Sequence, residues 1–322
     1  MRYLRPIPAP HGPRLADGWL RFDRVELLER GKAPVILPIR DLPEEDLAPL
    51  TTPRAPIADI PVDRPSIMGI LNVTPDSFSD GGRHLAVPDA VAQADRMAAA
   101  DILDIGGEST RPGATEVDAE EEARRVLPVI EALAGRRLSI DTRKATVARR
   151  SIAEGAILIN DVSGLQFDIE MAETVAETGA SLCLMHSIGT PETMQDDPYY
   201  ANVILDVYDA LAARIDQAVA AGIPRNKIIA DPGIGFGKTE AHNLALLRHI
   251  GVFHGLGVPI LLGASRKGFI GRIGDAPSPD ARMPGTLAVT LAAVAQGVQM
   301  HRVHDVAEVA QGLALWRAVT ED

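Results

Sequence analysis

The chain has 322 residues, 46% of them hydrophobic, which suits one large domain with an appendage or two ordinary domains and excludes wholesale disorder. Its 44 acidic residues exceed its 32 basic ones, a formal charge of −12 that argues against nucleic acid as a partner; an anionic ligand would need locally gathered cations. Cys183 is the single cysteine, so no internal disulfide is possible and a reducing, cytoplasmic setting is expected.

The opening stretch is punctuated by Pro6, Pro8, Pro10 and Pro13 and contains no apolar h-region of a secretory signal. Residues 18–22 and 35–37 read as short strands and 24–30 as a short helix. Asp41-Leu42-Pro43-Glu44-Glu45-Asp46 and Pro53-Arg54-Ala55-Pro56 read as loop and linker. Residues 1–62 are therefore expected to form a small accessory segment, and a chain beginning near Pro61 to keep its activity. No apolar run approaches the roughly 20 residues that cross a membrane.

From about residue 65 a regular rhythm begins. Apolar runs at 67–71, 102–105, 138–141, 157–160, 181–185, 227–230, 259–263 and 299–303 read as strands. Helical stretches follow most of them, among them 119–133, 144–154, 203–221 and 305–316. This spacing predicts an α/β fold, a (β/α)8 TIM barrel over 63–322 with a small N-terminal extension. The competing doubly wound sheet usually has fewer strands and a glycine signature after the first.

A barrel of this type places its site just past the strands. After the first comes the polar loop Asn72-Val73-Thr74-Pro75-Asp76-Ser77-Phe78-Ser79-Asp80-Gly81-Gly82. After the second comes Gly106-Gly107-Glu108-Ser109-Thr110-Arg111-Pro112-Gly113, whose glycines, hydroxyls and arginine suit an anion, although a tight surface turn reads the same way. Asp141, Asn160-Asp161 and Asp231 end or follow later strands. Each acid singly reads equally well as a helix cap, but a ring of Asp141, Asn160 and Asp231 suits a flat ligand with an amide-like edge. Next stands Pro232-Gly233-Ile234-Gly235-Phe236-Gly237-Lys238-Thr239, which mimics a Walker loop but has Pro232 where that motif needs its first glycine. Ser265-Arg266-Lys267 and Arg302-Val303-His304-Asp305 bring cations to the same rim, and Arg302 suits stacking on a planar heterocycle. His186, His242, His301 and His304 lack zinc-ligand spacing, so a metal is expected to be Mg²⁺ shared with substrate phosphates. Ser109, Ser265 and Cys183 belong to no evident nucleophilic triad.

Together these loops resemble dihydropteroate synthase, a family of pterin-binding enzymes, in order from about residue 65 to 319. The resemblance implies a transferase that condenses 6-hydroxymethyl-7,8-dihydropterin pyrophosphate with p-aminobenzoate in folate biosynthesis. It implies that Asn72 helps place Mg²⁺ on the pyrophosphate, and that Asp141, Asn160, Asp231 and Lys267 hold the pterin. Met185 and Phe236 would line the pterin pocket, with Arg302 stacked across the ring. Arg111, Arg302 and His304 would bind pyrophosphate, and Phe78, Thr110, Pro112 and Ser265 would form the p-aminobenzoate pocket. A homodimer through the late helices is also implied. Ser187-Ile188, after Leu184-Met185-His186, depart from the family pattern, which there has a long side chain and then a polar or basic one. Two rival readings are a pterin-dependent methyltransferase, which would not need the Ser109-Thr110-Arg111 loop, and a non-catalytic pterin-binding homologue, which should have lost a rim cation.

Overall fold

In the computed structural model described here, covering residues 2–74, 86–109, 114–189, 194 and 196–320, eight parallel strands form one sheet that curls into a barrel. They are β4 (Ser66–Asn72), β5 (Ile102–Gly106), β6 (Leu138–Asp141), β7 (Leu158–Asp161), β8 (Ser181–Met185), β9 (Ile228–Asp231), β10 (Leu261–Leu262) and β11 (Met300–Val303). Each pairs with the next, and β11 pairs with β4 through Met300↔Ser66 and Val303↔Gly69. The β9–β10 seam is narrow: a single bridge, Ala230↔Ile260, with Ala230 N–H donating to Pro259 O at 3.0 Å. The expected strand 259–263 is thus reduced to two ladder residues.

Helices α2 (Ala86–Arg96), α3 (Ala119–Ala132), α4 (Ala145–Ala153), α5 (Met171–Thr178), α6 (Val203–Ala220), α7 (Glu240–Arg248), α8 (Gly268–Ile273), α9 (Met283–Val294) and α10 (Val306–Thr320) follow the strands. Three of their starts are legible locally. Asp118 accepts from Glu120 N–H ahead of α3, Asn202 accepts from Leu205 N–H ahead of α6, and Thr239 with His242 forms a reciprocal cap on α7.

Strand alternation divides the barrel into layers. Outward residues such as Leu103, Ile140, Ile159, Leu182 and Ile228 pack with the helices. Inward residues at the N-terminal ends, Met68, Ile102, Leu158, Cys183, Ile229, Leu261 and Met300, form a separate apolar floor. Two residues further along the same strands stand Asp104, Asn160, Met185, Asp231 and Arg302. The period of two therefore stacks a polar layer on an apolar one.

The N-terminal segment differs from its expected form. β1 (Tyr3–Arg14), β2 (Arg21–Leu28) and β3 (Val35–Pro38) make an antiparallel sheet with β2 central, and α1 (Glu44–Thr51) follows. The proline-punctuated opening, to which the sequence assigns no element, is an edge strand, β1. Alternate N–H groups there face away from the sheet, so Pro6, Pro8 and Pro10 need not cost a ladder bond. The helix expected at 24–30 is a strand instead. Phe22, Val25 and Leu28 recur every three residues, which mimics a helix, and pairing of β2 with β1 and β3 decides the outcome.

This sheet is fastened to the barrel. Tyr3 Oη donates to Asp209 at 2.9 Å, Arg30 bridges Asp206 and Asp209 at 2.6 Å each, and Trp19 Nε1 donates to Val294 O at 3.1 Å. The supposed linker is structural too. Arg54 donates to His254 O at 2.9 Å, and Ile57, Ile60 and Val62 join the apolar floor. Residues 57–62 therefore pack against the N-terminal end of the barrel, so a chain beginning near Pro61 would lose Ile57 and Ile60 from that floor. Ile60→Ala should cost about 2–5 kcal/mol of stability. A urea unfolding midpoint equal to the wild type would show that the plug is dispensable.

Candidate active site

The polar layer is organised around Arg302 on β11. Its Nε lies 2.6 Å from Asp104 Oδ2 and its Nη2 lies 2.7 Å from Asp141 Oδ2. Asn160 Nδ2 donates to the same Asp104 oxygen at 2.9 Å. One cation thus serves two buried carboxylates. Burial pushes the Asp141 carboxyl up to about 7; Arg302 opposes that shift, and the nearby Asp104 adds to it. Asp104 Oδ1 and Asp141 Oδ1 are buried without a hydrogen-bond partner, leaving acceptor capacity inside the barrel mouth.

Asp231 occupies the opposite side. Burial raises its carboxyl above the ordinary range, against the Gly233 N–H, Lys267 and Lys238. Its Oδ1 accepts from Gly233 N–H at 2.7 Å, which ties down the loop after β9; the next helix is capped by Thr239 instead. Asp161, by contrast, is wholly a turn cap: it accepts from Ser163 N–H, Ser163 Oγ and Leu165 N–H at 2.6–2.8 Å.

Lys267 Nζ donates to Ile234 O and sits 4.5 Å from the centre of the Phe236 ring. Burial brings its ammonium down to about 8, with Asp231 opposing. Met185 is buried at the end of β8. Ser265 Oγ and His304 Nδ1 are 3.0 Å apart. Asn72 ends β4 opposite Gly106; a Cβ on that glycine would press on Asn72 Oδ1 at 3.2 Å. Among the described residues no group of three His, Cys, Asp or Glu side chains gathers at one point.

The structure thus brings Asn72, Asp141, Asn160, Met185, Asp231, Phe236, Ser265, Lys267, Arg302 and His304 to the C-terminal end of one barrel. Phe78, Thr110, Arg111 and Pro112 lie outside the described residues. Arg266, expected with the rim cations, turns away. It holds φ at +56° and grips Asp305 with Nε at 3.0 Å and Nη2 at 2.5 Å. Its guanidinium locks the Ser265–Lys267 turn instead of facing a ligand.

Sequence reasoning gave no role to Asp104, although a carboxylate inside an apolar strand run was a usable signal. It also overlooked a buried ion cluster beside the second loop. Glu108 accepts from Lys144 Nζ at 3.0 Å, Arg143 Nη2 at 3.1 Å and Val117 N–H at 2.9 Å, while Glu122 takes Lys144 at 2.6 Å. Burial raises the Glu108 carboxyl, yet Val117, Lys144 and Arg143 bring it below its ordinary value.

A parallel barrel with a desolvated ring of acceptors and two cations at its mouth suits a flat, amide-edged anionic ligand. A family model described as pterin binding enzyme matches residues 68–304, and the chain belongs to that family. Its relatives are dihydropteroate synthases. That of Escherichia coli strain K12 is 46% identical over 262 residues, covering 80% of this chain and 92% of the relative. That of Synechocystis is 45% identical over 79% of this chain and 91% of its own. Among solved structures, Xanthomonas albilineans dihydropteroate synthase with 4-aminobenzoic acid superposes with a TM-score of 0.77 at 47% identity, covering 81% of this chain and 95% of that one. The same enzyme in complex with 7,8-dihydropteroate gives 0.75 at 43% identity, covering 82% and 96%.

Asp141 makes stability depend on pH. Its folded carboxyl keeps a proton up to about 7, whereas the ordinary value is 3.8. Between these values the native state binds more protons than the unfolded state, so Asp141 costs stability as pH rises through that window. Asp141→Asn should flatten the fall in urea midpoint between pH 4 and 7; an unchanged slope would show that Arg302 keeps this carboxyl ionised throughout.

Proposed function

We propose that this chain is a dihydropteroate synthase, a transferase of the alkyl and aryl type. It joins p-aminobenzoate to 6-hydroxymethyl-7,8-dihydropterin pyrophosphate and releases pyrophosphate and 7,8-dihydropteroate. The observation that carries this reading is the buried ring of Asp141, Asn160 and Asp231, faced by Lys267 and Arg302, on the barrel of a pterin-binding family.

The family resemblance implies the roles, and the geometry supports them. A pterin edge offers adjacent N–H donors, and buried carboxylates with free lone pairs accept them. Asn160 supplies an amide, Met185 and Phe236 supply apolar walls, and Lys267 donates to a ring acceptor. Arg302, held by Asp104 and Asp141, covers the ring. Ser265 and His304, 3.0 Å apart, would serve the p-aminobenzoate and the pyrophosphate respectively. The amine nitrogen bonds to the pterin methylene as the C–O bond breaks. The electron pair departs with pyrophosphate, and the amine proton passes to the leaving phosphate or to water. The electron-rich pterin shares the positive charge of a dissociative path, so no strong base is needed. Positioning and charge stabilisation supply the rate.

Mg²⁺ belongs to this proposal. Asn72 offers one oxygen and the described residues offer no cage, which fits an ion held chiefly by substrate phosphates. When bound it would neutralise charge on the departing pyrophosphate.

A coupled assay for pyrophosphate release tests the reading: turnover should need both substrates and Mg²⁺. Asp231→Asn keeps size but sets an amide donor against the pterin donors, a loss on the order of 2–5 kcal/mol. Pterin binding should weaken roughly 30-fold or more with the fold intact. Because Asn caps a turn as well as Asp does, wild-type affinity in this variant would leave Asp231 a cap and remove it from the pterin site.

A homodimer is also proposed. Leu315 and Val319 on α10 are 62% and 84% exposed, and Ala288 and Ala292 of α9, which packs against α10, are exposed too. An apolar face of this kind suits a second copy. Light scattering should give twice the chain mass; a single-chain mass unaffected by Leu315→Glu would exclude that interface.

A further inference from the structure

Lys238 closes the loop after β9 and has no part in the proposed reaction, yet its amine is sequestered. The residue is 3% exposed, and Nζ lies 2.8 Å from Phe236 O, 3.0 Å from His186 Nδ1 and 3.2 Å from His186 O. All three partners are uncharged. Burying this amine costs free energy, which its three hydrogen bonds and the nearby Asp231 carboxylate offset. Burial pushes Lys238 well below its ordinary value, and it pushes His186 down as well, so the imidazole is neutral.

What these contacts hold is the loop bearing two site residues. Gly233, Gly235 and Gly237 have φ of +69°, +84° and +61°. A Cβ on Gly233 would collide with His186 O, so the loop lies pressed on the end of β8. Gly233 N–H sets Asp231 Oδ1, and His186 N–H donates to Asp231 O at 2.9 Å. Phe236, whose carbonyl Lys238 grips, carries the ring under the Lys267 ammonium. Tyr200 Oη adds one tie, to Gly237 O at 2.9 Å.

We propose that Lys238 is a positioning residue for the pterin site: with His186 it knots the loop after β9 to the end of β8, fixing the Asp231 carboxylate and the Phe236 ring. The inference rests on the synthase reading and names a side chain that acts through Asp231 and Phe236 without touching substrate.

The test compares Lys238→Met, Lys238→Gln, His186→Ala and the double variant Lys238→Met/His186→Ala in steady-state kinetics, with thermal unfolding recorded alongside. Lys238→Met should raise KM for the pterin pyrophosphate by about tenfold or more, with kcat and KM for p-aminobenzoate within about twofold of wild type. Lys238→Gln keeps two N–H donors and should recover to within about threefold of wild type. The double variant should be no more than about twofold worse than Lys238→Met, since both changes cut one knot. A folded Lys238→Met with wild-type pterin KM overturns the proposal. So does equal loss for both substrates, or a Gln variant as impaired as Met. Should Lys238→Met fail to fold, His186→Ala decides: a several-fold rise in pterin KM alone supports the knot, and no rise overturns it. Wild-type enzyme without turnover would instead sink the synthase reading, whereas wild-type turnover with unaltered variants sinks only the role of Lys238.

Discussion

Arg302 lies between two carboxylates that cannot reach water. Asp104 is fully buried and Asp141 nearly so, and each gives one oxygen to the same guanidinium. The two carboxyl groups share one cation in a desolvated space where burial holds the Asp141 proton up to about 7, and the unpartnered Asp104 and Asp141 oxygens are satisfied fully only by a ligand with donors. Much of the mouth follows from that constraint. Asn160 turns its amide to Asp104, and Asp141 retains an unsatisfied oxygen. The same guanidinium keeps its own face available because its edge is already engaged.

The polar layer depends on the apolar layer beneath it. A barrel interior of this width is filled by side chains, and the alternation of each strand assigns successive inward positions to floor and mouth. Ile102 precedes Asp104, Leu158 precedes Asn160, Ile229 precedes Asp231 and Met300 precedes Arg302. The floor is completed from outside the strands, by Ile57, Ile60 and Val62. The mouth charges are thereby kept away from water entering from below, which preserves the low-dielectric surroundings on which their strength depends.

The barrel was legible because its strands are short apolar runs and because the polar residue ending each run marks the mouth. Asp141, Asn160 and Asp231 were visible in this way, while Arg302, inside its run at 299–303, stood out as a cation leading into the His304-Asp305 loop. Asp104 was not visible, since it falls inside its run and reads as framework; only the partner 198 residues away gives it meaning. Arg266 failed in the opposite sense. Its place beside Ser265 and Lys267 suggested a ligand, but Asp305 and Asp280 arrive from elsewhere in the chain and claim it. The N-terminal sheet was obscured because prolines that would break a central strand are harmless on an edge. A spacing of three in Phe22, Val25 and Leu28 also cannot distinguish a helix from a bulged strand until the partner strand is known.

The plug at residues 57–62 works like the hub of a wheel. Its side chains share one apolar cluster with residues drawn from β4, β5, β7, β8, β9, β10 and β11, strands whose backbone pairing joins each only to its neighbours around the rim. A ring of nearest-neighbour pairings can open at its weakest join and leave the remainder standing, and here that join is the single-bridge seam between β9 and β10. A hub removes this freedom, because a spoke displaced at the seam disturbs packing shared with the far side. The extension, lying outside the segment that defines the family, thereby makes a circular array of local pairings behave as one cooperative unit.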